Sequence, residues 1–134
     1  MAGQIMLEVV TPERKVFSEE VSGIVVPATE GSLGVLSNHA PLITGLQIGV
    51  IKFTQEGKIR KMAISGGFME VKENKVIVLA DTAELGSEID VLRAKEAKER
   101  AEKRLTDREA SIDYGRVHLA LHRALARLKA GDGE

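Results

Sequence analysis

Glu84-Leu85-Gly86-Ser87-Glu88-Ile89-Asp90-Val91-Leu92-Arg93-Ala94 divides the chain. Before Gly86-Ser87, apolar and polar residues alternate between Gly and Pro breaks, a period-two pattern that places side chains on opposite faces of a strand. From Ile89 to Ala130 the chain runs in Ala, Leu and charge at steps of three and four, the period of a helix face. Two small architectures therefore meet at one seam, with domains expected at residues 1–86 and 87–134.

Upstream of the seam, alternating or β-branched runs fall at Ile5 to Val10, Val16 to Phe17, Ile24 to Val26, Val50 to Phe53, Ile59 to Ile64, Phe68 to Lys72 and Val76 to Leu79. Between them lie Thr11-Pro12-Glu13, Thr29-Glu30-Gly31-Ser32, Gln55-Glu56-Gly57-Lys58, Ser65-Gly66-Gly67 and Glu73-Asn74, which supply Gly, Asn or Pro where a backbone reverses. Short strands at this spacing predict an antiparallel β-sandwich or barrel. Gly31-Ser32-Leu33-Gly34 reads as a tight turn: no Lys-Ser or Lys-Thr follows it, so it is not a phosphate-cradling loop. Ser65-Gly66-Gly67-Phe68 reads as a place where two strands cross closely, because glycine removes the Cβ. Lys75 to Asp81 is nearly continuous in apolar residues and reads as a buried strand.

Downstream, Ala94, Ala97, Ala101 and Leu105 share one face of a first helix running from Ile89 to Leu105, and Ser87 or Asp90 can cap its start. Glu96 with Arg100, and Glu99 with Lys103, sit four apart with the acid first, which supports an exposed helix by about 0.2–0.5 kcal/mol per pair. A polar connector, Thr106 to Ser111, leads to a second helix capped by Asp113, with the stripe Val117, Leu121, Ala124 and Leu128 flanked by Ala120 and Leu125. The short connector makes the pair an antiparallel hairpin, so the chain as a whole is α+β. A seam of alanines buries little area at about 25 cal/mol per Å², so the hairpin is weakly held.

Antiparallel packing brings Asp90 and Arg93 towards Arg123 and Arg127, which lie four apart on one helix face. Gathered guanidinium groups repel unless an anion joins them, and Arg matches phosphate oxygens with paired donors, so a polyphosphate site is one reading. The other is that Asp90 caps one helix while the arginines sit hydrated at the negative end of the other. Composition alone nominates no partner. Nineteen basic and 20 acidic residues leave a net charge of -1, without the field that gathers nucleic acid. No run approaches the roughly 18 apolar residues of a membrane span. Met1-Ala2-Gly3-Gln4 lacks the basic and apolar regions of a signal peptide, and cysteine is absent, so a cytoplasmic location is expected. His39 lacks a nucleophile elbow and orienting groups, and reads as a structural or interface residue. His118 and His122 share a face without a third ligand, so no metal site is expected.

E-G-x-x-G-x-L-x-x-H-A-P-L (Glu30 to Leu42), S-G-G-F-x-E-V (Ser65 to Val71) and V-x-V-L-A-D-T-A (Val76 to Ala83), followed by a helical hairpin, resemble the epsilon subunit of bacterial ATP synthase across essentially the whole chain. The resemblance implies a non-catalytic rotor subunit, peripheral on the cytoplasmic face of the cell membrane. Its sandwich would dock on the gamma subunit and the c-ring through Glu30, Gly31, Ser32, Leu33, His39, Ala40, Pro41 and Leu42. Ser32 stands where some members carry an acid. The hairpin would be a mobile regulator, either compact on the sandwich or extended towards the alpha and beta catalytic subunits, where it inhibits ATP hydrolysis. Ile89 to Ala94 also resembles the I-D-x-x-R-A motif with which members from thermophilic bacilli bind ATP in the compact state. By that resemblance Glu84, Ile89, Asp90, Arg93, Ala94, Arg123 and Arg127 are the ATP-contacting positions, with the part of Mg2+ left open. A free-standing sandwich adaptor with a helical dimerisation arm is the competing class.

Overall fold

The computed structural model describes residues 3–107 and 113–132. Eight strands are followed by a single 3-10 turn, Gly86–Glu88, and two helices. The strands are β1 (Ile5–Val10), β2 (Lys15–Val21), β3 (Gly23–Ala28), β4 (Gly31–Val35), β5 (Leu42–Gln55), β6 (Lys58–Lys72), β7 (Lys75–Ala80) and β8 (Ala83–Leu85). They hydrogen-bond in the order β2-β1-β7-β6-β5-β3-β4, with β8 on β6.

The long hairpin β5–β6 belongs to both layers of a sandwich. Its open end, where Leu42 faces Val71, continues through β7 to β1 and β2. Its turn end continues on one side through β3 to β4 and on the other to β8. Between the layers lie Ile5, Leu7, Val9, Ile51, Phe53, Met62, Met69, Val71, Val76 and Val78, each at most 1% exposed. Alternation in β1 is strict, with residues 5, 7 and 9 buried, because one face meets this core and the other does not. The helices α1 (Val91–Thr106) and α2 (Tyr114–Asp132) follow as an antiparallel pair.

Several details differ from the sequence expectations. One pairing, β1 with β7, is parallel in an otherwise antiparallel sheet. Gly31 to Val35 is a strand rather than a turn, paired residue for residue with β3. Ser65-Gly66-Gly67 does not end a strand but lies within β6, with φ of +105° at Gly66 and +143° at Gly67. A Cβ on Gly67 would fall onto the Leu79 carbonyl oxygen, so the close approach needs glycine twice over. β7 is buried on one face only: Val76, Val78 and Ala80 point inward while Leu79 is 56% exposed. Helix α1 begins at Val91, after Ile89 and Asp90, because Asp90 and not Ser87 is the cap. Of the expected connector, residues 108–111 lie outside the described residues.

Candidate functional site

The seam is built from the turn after β8, the start of α1 and the last turns of α2. Asp90 Oδ1 accepts a hydrogen bond from the Arg93 N–H at 3.0 Å, satisfying one of the free donors of the first turn of α1. At the start of α2, Asp113 Oδ1 accepts from the Arg116 N–H at 3.1 Å. The Tyr114 hydroxyl donates to the Asp107 carbonyl across the base of the hairpin. Ala94 and Ala101 are buried towards α2, and Val117 and Ala124 towards α1. Leu121 and Leu128 of the expected stripe are only half-buried, and Leu125 is 42% exposed.

A second face of α2, unmarked in the sequence reading, seats the hairpin on the sandwich. Ala126 and Ala130, four apart, pack with Ile89 against Ala63 of β6, with Ile48 and Val50 of β5 beside them. The pair of small residues at helical spacing is the signal that would have found it. Contact is close enough that a Cβ on Gly86 would lie 2.5 Å from the Ala130 carbonyl oxygen and 3.2 Å from that of Lys61. Helix α1 rests chiefly on α2, whereas α2 packs on β5, β6 and β8. The hairpin therefore touches the sandwich along one helix.

Beside this seat the Arg127 guanidinium embraces the Glu84 carboxylate. Nη2 donates to Oε2 at 3.2 Å, and Nε lies 2.7 Å from Oε1 with its N–H turned off the line of a hydrogen bond. Arg127 is 26% and Glu84 38% exposed, so the pair sits at the edge of the seam. Of the seven residues implied to contact ATP, which lie on β8, the segment before α1, α1 and α2, the structure brings the side chains of Glu84 and Arg127 together. Glu84 and Arg127 are paired, Asp90 is turned into its own helix, and Ile89 and Ala94 are buried. Among the described residues, the Arg93 and Arg123 side chains are exposed and take no hydrogen bond or ion pair.

The implied docking residues occupy two places. Glu30 lies in the β3–β4 turn and Gly31, Ser32 and Leu33 open β4, with Leu33 half-buried against the core and the other three exposed. His39, Ala40 and Pro41 lie in the segment between β4 and β5, and Leu42 begins β5. That segment is stitched to its neighbours: the Asn38 N–H donates to Asn74 Oδ1 at 2.8 Å, and Asn74 Nδ2 donates to the Gln4 carbonyl at 2.8 Å. His39 Nδ1 lies 2.7 Å from the Ala40 carbonyl oxygen. Among the described residues no cluster of His, Cys, Asp or Glu could hold a metal ion, and no helix is long and apolar enough to cross a membrane.

Comparison with known proteins agrees with this plan on both sides of the seam. Residues 4–86 match the beta-sandwich domain of the ATP synthase delta/epsilon chain, and residues 87–131 match its long alpha-helix domain. The chain belongs to the ATP synthase delta/epsilon chain family. It is 61% identical to the ATP synthase epsilon chain of Pelotomaculum thermopropionicum over 124 residues, 92% of each chain. With the epsilon chain of Desulforamulus reducens it shares 52% identity over 132 residues, covering 98% of this chain and 100% of that one. In the mitochondrial ATP synthase of Euglena gracilis, solved as an OSCP/F1/c-ring assembly, one chain superposes with a TM-score of 0.80 at 27% identity, covering 95% of this chain and 80% of that one. A chain of the Tetrahymena thermophila mitochondrial ATP synthase shares the fold, with a TM-score of 0.54 at 11% identity. Epsilon chains are a non-catalytic subunit of ATP synthase.

Proposed function

We propose that this epsilon subunit works in the central stalk of a proton-translocating ATP synthase on the cytoplasmic face of the membrane. Its sandwich docks on the gamma subunit and the c-ring, and its hairpin regulates ATP hydrolysis by leaving or keeping its seat. The observation that carries this reading is the thinness of the seat, four buried side chains and one edge ion pair holding a 19-residue helix. An element so held can exchange between compact and extended positions at modest cost.

ATP is the ligand that favours the compact position in this reading. Arg93 and Arg123, exposed and unpaired, supply donors for phosphate oxygens, and Arg127 is already held in place by Glu84. A ligand that binds only the compact form stabilises it by RT ln(1 + [ATP]/Kd), about 2.7 kcal/mol at a hundredfold excess over Kd. Such a term is comparable with the seat itself. Extended, the hairpin would reach the alpha and beta subunits and inhibit hydrolysis.

Isothermal titration of the isolated chain with ATP, with and without Mg2+, tests the site. Saturable binding that raises the melting temperature is expected, with both effects lost in Arg93→Ala and in Asp90→Ala. Asp90→Ala also removes the cap of α1, so Arg93→Ala is the cleaner variant. A titration in Arg93→Ala indistinguishable from wild type would sink the assigned site.

A further inference from the structure

Arg123 and Arg127 project from one flank of the α2 seat, and the other flank is also shaped. There, α2 and the outer face of β3, β4 and β5 enclose a cleft of about 330 Å³. Its floor is apolar, made by Pro27, Ile48, Val50 and Leu125. Gly49 keeps that floor open, since a Cβ there would lie 2.8 Å from the Pro27 Cβ. Leu125 is 42% exposed, as is Val25 at 43%, so apolar surface of both helix and sheet is left to water at this cleft.

The rim has one sign of charge. Lys52 comes from β5, and Lys129 and His122 from α2, with the Ser32 hydroxyl nearby; no carboxylate lines the cleft. Among the described residues neither lysine takes part in an ion pair. Two unpaired ammonium groups over an apolar floor complement an anion with an apolar body. The volume lies at the lower end of the range of small-molecule sites, about 300–1,000 Å³, which suits one short alkyl chain rather than the two of a phospholipid.

We propose that this cleft is a second ligand site, which takes a free single-chain amphipathic anion with its alkyl body on the floor and its headgroup at Lys52 and Lys129. Because helix and sheet each supply part of the wall, the ligand binds only the seated hairpin and stabilises the compact form by mass action. The site uses none of the arginines and stands whether or not those bind ATP.

Titration of the full chain with decanoate below its micellar concentration tests the proposal, with decanol, inorganic phosphate and phosphatidylglycerol vesicles as comparisons. Expected are saturable decanoate binding, a raised melting temperature, and affinity about tenfold weaker in the Lys52→Ala/Lys129→Ala double variant, equivalent to about 1.4 kcal/mol. Decanol and phosphate should each bind at least as weakly as decanoate binds that variant. Both lysines are exposed, and Lys129→Gln alone gives the same comparison should the double variant unfold. Absence of saturable decanoate binding overturns the proposal, as does decanol binding equally well or an unchanged affinity in the lysine variants. Vesicle binding without decanoate binding overturns it too, assigning the surface to a membrane.

Discussion

Substituting Gly86 by alanine should pry the hairpin from the sandwich. The new methyl would lie 2.5 Å from the Ala130 carbonyl oxygen, 3.3 Å from the Ala130 carbonyl carbon and 3.2 Å from the Lys61 carbonyl oxygen. All three are backbone atoms, one pair on α2 and the other on β6, so no side-chain rotation relieves the clash and the two elements must separate. Overpacking of this kind costs about 1–3 kcal/mol. Against it stands a seat in which Ala63, Ala126 and Ala130 bury a methyl each and Ile89 its side chain, on the order of 5 kcal/mol before ordering costs. The substitution thus removes a large part of what holds the compact form, shifting the equilibrium about 5- to 150-fold towards release. Hydrogen exchange read by mass spectrometry should show that acceleration in peptides of α2, with peptides of β1 and β7 unchanged. Gly34→Ala, where a Cβ meets nothing within 4 Å, is the control. If α2 in Gly86→Ala exchanges like wild type, or if protection is lost equally in β1 and β7, the reasoning about the seat fails.

The remaining expectations concern the sandwich and its edge. Gly67→Ala should cost more than about 3 kcal/mol, since it adds strain at a positive φ to a backbone collision with Leu79, and urea unfolding will read it. Arg127→Ala should cost about 1–2 kcal/mol, between the values for exposed and buried pairs, and a double-mutant cycle with Glu84→Gln should show most of that loss as coupling. The Glu8 carboxyl is held below its ordinary pKa first by its hydrogen bond to Lys75 and then by Lys15, with burial opposing them. Its contribution is therefore complete above the unfolded-state pKa and lost as pH falls through the folded one, so wild type and Glu8→Gln should converge in stability in acid. Equal acid limbs for the two proteins across the whole range would count against the Glu8 pairs.

Strand β1 was legible because it meets core on one face only, and the alternation of Ile5, Leu7 and Val9 records that. The long strands were not, because Gly45, Gly49, Gly66 and Gly67 punctuate them, and glycine marks a close approach inside a strand as readily as a break between two. β4 was hidden for the same reason: Gly31-Ser32-Leu33-Gly34 has turn composition, and only pairing with β3 makes it a strand. At the seam, the helices and their antiparallel packing followed from period and connector length, and Asp113 was read correctly as a cap. Which of Ser87 and Asp90 caps α1 was undecidable, since both accept hydrogen bonds and only the 3-10 turn separates their roles. Spacing also gathered Arg93, Arg123 and Arg127 as equals. In the fold they differ, because a carboxylate on β8 reaches Arg127 alone.

The parallel pairing of β1 with β7 joins residues 6–10 to residues 75–79, the two ends of the sandwich. Since among the described residues β1 otherwise pairs only with β2, the β1–β2 hairpin has one edge bare until β7 joins it. Closure of that edge is a non-local step, slow by the standards of small domains, and it exposes Leu7 and Val9 meanwhile. The helical hairpin, whose contacts are local, needs no such wait. Its seat on β6 depends on the sandwich register, so the hairpin can form by itself but docks only on a layer whose pairing is set.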